Sequence, residues 1–328
     1  MTAQFISTMS AAADFLGNGA IETNRYETEI ADIVRRTSVA LERFNSVPAT
    51  GHPHRYFEER AVGQGTFTDP RNITPTSTGP TRVERSVMIK ALTNRSDFSM
   101  FDVEVTKQQG QFASVEAKDI EDITTGIVLT EATAVWSGTD TSLATPTTNQ
   151  YVGLLNQITQ TSSVLPGASI IDALKASVAT MVANPAYVVR PSAIYINPIL
   201  GDYLDREAKA QKIDMDKTEV TAGVWVKSIM TQAGPLPLIS DPFLAADTTG
   251  KYGFAAPAAG NKNYYAVILS ERWVEMPFVS GGDGNSKPRL FQLGLLAGLQ
   301  MQYVAVKFAS IVAKGADYAH ATVCVQRP

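Results

Sequence analysis

Three histidines, one cysteine and a few paired carboxylates are the residues of this chain best suited to chemistry, and their spacing limits what they can do. His52 and His54 flank Pro53, while His320 lies far along the chain. A transition-metal site gathers three or four ligands with thiolate or carboxylate support, and neither a CxxC nor an HExxH spacing occurs. Residues 52–54 are therefore expected to be a solvent-exposed loop. Nucleophilic catalysis lacks its templates as well: there is no GxSxG elbow, and Cys324 follows His320 by four residues in a segment without helical pattern. The single cysteine cannot close an intrachain disulfide, which fits a reducing compartment. Cys324 reads as a small apolar residue of the last strand.

The glycine-rich stretch SGGDGNSKP at residues 280–288 resembles a phosphate cradle only superficially. It lacks the Walker pattern and precedes strands, so a turn is expected. Asp119/Asp122 and Asp202/Asp205 lie on helix faces beside bases, where solvation and pairing account for them. No catalytic residue, metal or cofactor is expected, and the chain is not expected to be an enzyme.

Residues 1–23 are small, polar and aperiodic, and read as an extended arm. A helix is predicted next: Tyr26, Ile30, Ile33, Val34, Leu41 and Phe44 recur at helical spacing until Pro48 and Gly51 stop it. Between residues 56 and 106, two strand-like stretches flank TFTDPRNITPTSTGPT, residues 66–81. That segment carries too little apolar surface to fold alone, so the expectation is a long hairpin whose tip projects and is received by a partner.

From residue 114 the period changes to 3.6, with Ile120, Ile123, Ile127 and Ala134 on one face, predicting a long spine helix to about Gly138. Residues 141–171 carry no charge. Ser169 with Asp172 three positions on opens a helix that buries Ile171, Leu174, Val178 and Met181. Residues 193–196 form a short buried strand, and Asn197-Pro198 caps and starts the next helix. The remainder reads as strands at 224–229, 236–239, 264–269, 273–279 and 291–306. This mixed order, without βαβ alternation, predicts an α+β fold.

The 328 residues suffice for one large domain or two ordinary ones. With 44% hydrophobic and only 18% charged residues and a net charge of -4, the surface must be largely neutral and polar, which is cheap to desolvate against another copy. There is no basic excess to support sequence-specific nucleic-acid binding. The first twenty residues carry no signal-peptide pattern, and residues 291–306 are too polar to span a membrane, predicting a soluble cytoplasmic product.

Taken in order, arm, helix, projecting hairpin, spine helix, uncharged segment, central α/β region and returning strands resemble the tailed-bacteriophage major capsid proteins of the Hong Kong 97-like fold. EATAVWSGTDTS at 131–142 and YVGLLNQI at 151–158 are similar to the end of that family's spine segment. PSAIYINPILGDYL at 191–204, GPLPLISDPFL at 234–244 and YYAVILSERWVEM at 264–276 are similar to its central domain.

The resemblance implies an N-terminal arm with helix at 1–50, an E-loop at 51–107, a P-domain from 108–145 and 285–328, and an A-domain at 146–284. It implies self-assembly as hexamers and pentamers into an icosahedral virion shell around double-stranded DNA, bound without sequence specificity. Assembly would take place in the host cytoplasm, away from any membrane, with portal and scaffolding proteins and a decoration or cement protein as further partners. Intersubunit contacts are expected from Phe67, Asp69, Pro70, Arg71, Ile73 and Pro75 at the hairpin tip and from Tyr26, Ile30, Arg35 and Arg36 in the arm. Members that crosslink use a hairpin lysine; here Lys90 lies away from the tip, so noncovalent clamping is expected. An encapsulin-like nanocompartment shell would look almost identical, and a tail-tube protein would also lack motifs but should have more β-structure and no spine helix.

Overall fold

A computed structural model describes residues 37–74, 78–109, 115–213, 215, 217–221, 224–280, 286–296 and 300–328. In chain order the helices are α1 (Val39–Arg43), α2 (Met100–Gln109), the spine helix α3 (Val115–Ser137), α4 (Leu154–Gln157), α5 (Ile170–Val182) and α6 (Pro198–Gln211). The strands are β1 (Asn45–Pro48), β2 (His54–Ala61), β3 (Thr81–Val87), β4 (Lys90–Ser99), β5 (Thr161–Val164), β6 (Ala193–Ile196), β7 (Lys217–Thr221) and β8 (Val224–Thr231). They continue with β9 (Gly234–Ser240), β10 (Lys262–Leu269), β11 (Val274–Phe278), β12 (Arg289–Leu296), β13 (Gln300–Ala309), β14 (Val312–Ala313) and β15 (Ala321–Arg327). The fold is α+β, as expected.

The centre is a seven-stranded mixed sheet in the order β5-β15-β10-β6-β9-β8-β7. Its middle strands read as unbroken apolar runs because both faces are covered. Side chains alternate across the sheet. Ile194, Ile196, Tyr264, Ala266, Ile268, Val323 and Val325 meet α5 and α6 on one face. Tyr195, Tyr265, Val267, Leu269 and Cys324 meet Phe44, Trp136, Leu154 and Met276 on the other. Helix starts follow local capping chemistry: Ser169 Oγ accepts from Asp172 N at 3.2 Å, and Asn197 Oδ1 accepts from Ile199 N at 2.9 Å ahead of Pro198. All four residues predicted to face inward from α5 are buried.

A second sheet runs β1-β11-β13-β12, with β4 also on β13 and β14 on β11. The spine helix lies on it through Ile123 and Ile127, against Tyr303 and Ala305. The chain turns tightly after the helix: a Cβ on Gly138 would meet Tyr151 O at 2.4 Å, and one on Gly153 would meet Trp136 O at 2.5 Å. Only glycine allows this backbone approach. The uncharged segment that follows is buried at Tyr151, Val152, Leu154, Leu155 and Ile158. There the Gln157 amide serves backbone groups without a charge, donating to Val152 O at 2.6 Å and Ile311 O at 3.1 Å and accepting from Ala313 N at 2.9 Å.

Several expectations need correction. The described part of the first helix ends at Arg43, and Asn45–Pro48 is a strand parallel to Val274–Phe278. It is an edge strand, where a proline's missing N–H costs nothing. The strand-like stretch that follows the hairpin tip is two strands, not one: Thr81–Val87 pairs with β2, whereas Lys90–Ser99 pairs with Gln300–Ala309 in the second sheet. Residues 291–306 fall into two antiparallel strands, β12 and β13, either side of residues 297–299. Ala321–Arg327 leaves the second sheet's neighbourhood to pair in the centre of the first. His54 is not in an exposed loop but is a buried residue of β2. Its ring, in from the open turn, lies 3.4 Å from Thr50 N. No helix among the described residues is long and apolar enough to cross a membrane.

Candidate assembly surface

The hairpin is anchored at its stem and bare at its tip. Among the described residues its two strands pair only with each other. One stem face turns inward: His54 and Glu58 are buried, and Tyr56 and Arg60 are partly so. Glu58 Oε1 accepts from Gly315 N at 2.9 Å, and its other oxygen meets Arg60 at 2.6 Å. Arg60 also pairs with Asp317 and lies over the Tyr318 ring, which stacks on Tyr187 with centroids 3.8 Å apart. Tyr187 Oη donates to Arg60 O at 3.1 Å. The outer face is laced by Arg55–Glu84 at 3.0 Å and Arg82–Glu59 at 3.7 Å, with Phe57 exposed among them.

Beyond Ala61 this support ends. Asp69, Pro70, Arg71 and Asn72 make a tight turn, with Asn72 N donating to Asp69 O at 3.0 Å and Arg71 N to Asp69 Oδ1 at 2.9 Å. Asp at the first and Pro at the second position suit a type I turn. Ten residues separate Ala61 from Arg71, a reach of up to about 30 Å at the extended-chain rise. On this arm Val62 and Ile73 are each 72% exposed and Phe67 is fully exposed. The structure thus brings together five of the predicted contact residues, Phe67, Asp69, Pro70, Arg71 and Ile73. Pro75 and the arm residues Tyr26, Ile30, Arg35 and Arg36 lie outside the described residues, as do residues 281–285 of the glycine-rich turn.

The arm's described end is fixed on the chain's own core. Ala40 and Phe44 are buried, and the Phe44 ring packs against Trp136 and Tyr195 at 6.0 and 5.6 Å. Arg43 grips Glu271 with two bonds, 2.7 and 3.0 Å, and Tyr195 Oη and Ser192 Oγ donate to the same carboxylate at 2.6 and 2.8 Å. Burial alone would raise the Glu271 carboxyl, but these four bonds hold it below the ordinary range.

Two completely buried carboxylates also escaped sequence reasoning. Glu131 meets Lys307 at 2.5 Å and Tyr151 Oη at 3.4 Å; Asp140 meets Lys90 at 3.1 Å and the Thr141 and Thr147 amides at 2.8 and 3.1 Å. Lys90 also donates to Thr148 O, so this lysine is committed within its own subunit. A signal existed for Glu131, which follows Ile127 by four residues on the buried stripe of the spine helix. Of the predicted carboxylate pairs on helix faces, Asp122 meets Lys118 and Asp202 meets Arg206 on their own helices, Asp205 reaches Lys227 of β8, and Asp119 is half-buried, its carboxyl raised by burial and then by Asp122. Among the described residues, no three His, Cys, Asp or Glu side chains gather where a metal ion could be held.

No protein-family profile and no curated protein sequence matches the chain. Solved structures do, over nearly its whole length. The capsid of a native GTA particle aligns with a TM-score of 0.63 at 13% identity, covering 96% of this chain and 98% of that one. The capsid of Myoviridae phage XM1 gives 0.61 at 12%, covering 94% and 100%. The holo-SrpI encapsulin complex from Synechococcus elongatus gives 0.59 at 13%, covering 95% and 94%. The chain therefore has the Hong Kong 97-like fold of shell-forming proteins. Phage and GTA capsids and the encapsulin share that fold with it alike.

Proposed function

We propose that this chain is a major capsid protein, assembling as hexamers and pentamers into the icosahedral shell of a tailed bacteriophage and enclosing double-stranded DNA through neutral, sequence-independent contacts. The observation that carries the proposal is the hairpin, braced at its stem by buried charge and leaving Val62, Phe67 and Ile73 exposed among the described residues. An apolar tip held out on a two-stranded hairpin marks an interaction site, and closed symmetric assembly supplies the receiving surface from a second copy. In this reading the chain divides into an arm at 1–50, a hairpin region at 51–107, a peripheral unit and a central unit, with Ala321–Arg327 assigned to the central one. The role is non-catalytic. Portal and scaffolding proteins, and a decoration or cement protein, are the further partners it calls for.

The encapsulin likeness supports a second reading, a protein-filled nanocompartment. A tail-tube role is disfavoured by the 23-residue spine helix. Sedimentation and negative-stain microscopy of the purified protein test the proposal. Closed shells or capsomers are expected; shells that co-purify with an enzyme cargo favour the nanocompartment, and a monomer under every condition overturns both.

A further inference from the structure

Residues 314–320 do two things at once. They hold the inner face of β2, through Gly315 N on Glu58, Asp317 on Arg60 and the Tyr318 ring beneath Arg60. They are also tied back to the body by His320, which is completely buried. Its Nδ1 accepts from Ser270 N at 3.4 Å, and its Nε2 faces Lys314 O at 3.2 Å. Together these contacts assign the neutral tautomer protonated on Nε2, since a backbone N–H must find an acceptor and a carbonyl a donor. The bond to Lys314 O closes the segment on itself, from its last residue to its first. Gly315, at φ +66, makes the bend that brings its N–H to Glu58.

We propose that residues 314–320 form an acid-releasable clutch on the hairpin, closed while the His320 imidazole is neutral and opened when it takes up a second proton. Protonation places an N–H on Nδ1 opposite the Ser270 N–H, two donors face to face in a buried site. The charged groups on the surrounding elements offer the cation no compensation. Lys314 is paired with Glu275 at 2.6 Å, Glu58 and Asp317 are taken by Arg60, and Glu271, next to Ser270, is taken by Arg43. Arg190 contributes only its carbonyl, which accepts from Ser270 Oγ. His54, on the hairpin's own first strand, adds to the effect. Burial first and then the Lys314 charge hold it neutral, with Glu275 opposing, so acid places a further positive charge at the hairpin root.

Burial holds the His320 ring down to about 4, against about 6.5 once released. Linkage then raises the released population ~20-fold between pH 7 and pH 5. Hydrogen–deuterium exchange on the full-length, unassembled subunit reads this out, so its failure leaves the capsid proposal untouched. Corrected for intrinsic rates, amides of residues 56–60 and 314–319 are expected to gain about that factor at pH 5 while β10 amides stay protected. In His320→Gln, which keeps a donor for Lys314 O but cannot titrate, most of the gain is lost, the smaller His54 contribution and any from Glu58 and Asp317 remaining. An equal gain in His320→Gln, or a gain spread evenly over the chain, overturns the proposal. Should that variant not fold, NMR titration of the three wild-type histidine rings decides: one ring must stay neutral well below its ordinary value, and three ordinary titrations overturn it.

Discussion

Trp136 donates its indole N–H to Asp241 Oδ2 at 3.0 Å, joining the last turn of the spine helix to the corner after β9 across 105 residues of chain. Asp241 is completely buried, and its other oxygen accepts from Phe243 N at 2.9 Å. Trp136→Phe keeps an aromatic ring against Phe44 and Tyr195 but leaves a buried carboxylate oxygen without its donor. The expected cost is about 1–3 kcal/mol from the lost bond, with a smaller packing loss beside it. Urea denaturation measures it, and an unchanged midpoint would remove this bond from the list of core supports.

The Glu131–Lys307 pair makes a sharper demand. Glu131 is completely buried and Lys307 nearly so. Removing one member leaves an uncompensated charge, which costs about 3–5 kcal/mol, whereas removing both is far milder. Lys307→Met alone should therefore be severely destabilised, and Glu131→Gln with Lys307→Met should recover most of the loss. If the double variant is no better than the single one, the pair is not coupled as the geometry requires.

Much of this fold was legible where local chemistry and burial agree. Ser169 and Asp172, Asn197 and Pro198, and the Ile120, Ile123, Ile127 stripe each carry a short-range signal that packing confirms. Pairing across long separations was not legible. Lys90–Ser99 carries the same strand-like content as Thr81–Val87, and nothing local says that one joins β13 and the other β2. Paired charges were missed for a similar reason: the buried Glu131 and Asp140 and the half-buried Glu271 look like surface residues until a lysine or arginine from 50 to 228 residues away is brought to them. At the hairpin, composition identified the bare tip, but the grip of Gly315 and Asp317 on its stem required the tertiary structure.

Cys324 should behave as an inert core thiol. It is buried in the central sheet, and burial first, with the nearby Asp247 charge, pushes its pKa up to about 12. The thiolate is the reactive form. Labelling by a thiol-specific disulfide reagent at pH 8 should be negligible in the native protein and complete in denaturant, so its rate reports opening of the core. Rapid native labelling would contradict the burial.

The Arg43–Glu271 contact fixes the sign of one acid dependence. Glu271 is held below its unfolded value, so its stabilisation is fully present above that value and is lost as pH falls through the folded one. Glu271→Gln should accordingly be less stable than wild type at pH 7, and the gap should narrow below about pH 4, near the ordinary carboxylate range. Thermal melts of both proteins across pH 3–7 check this. A gap that stays constant with pH would mean the carboxylate's charge contributes nothing.

The hairpin tip yields the prediction that bears most directly on assembly. Phe67 and Ile73 make no core contact, so replacing either with aspartate should change the stability of the isolated subunit by no more than about 0.5 kcal/mol. In a shell the same side chains would be buried on a neighbour, where a charge meets an apolar surface and loses both the contact and its own hydration. Each substitution should then raise the protein concentration needed for assembly by at least about tenfold, the equivalent of 1.4 kcal/mol per contact. Replacing residues 64–78 with Asn-Gly is the stronger form of the test. Gly63 already lies against Thr78, so the shortened hairpin can close there in a two-residue turn without touching Glu58, Arg60 or residues 314–320. Subunit melting should survive and shell formation should not. Normal shells from the shortened chain, with unchanged thermal stability, would show that the tip is not the clasp and would shift the search to β12, where Phe291 and Leu293 are also exposed.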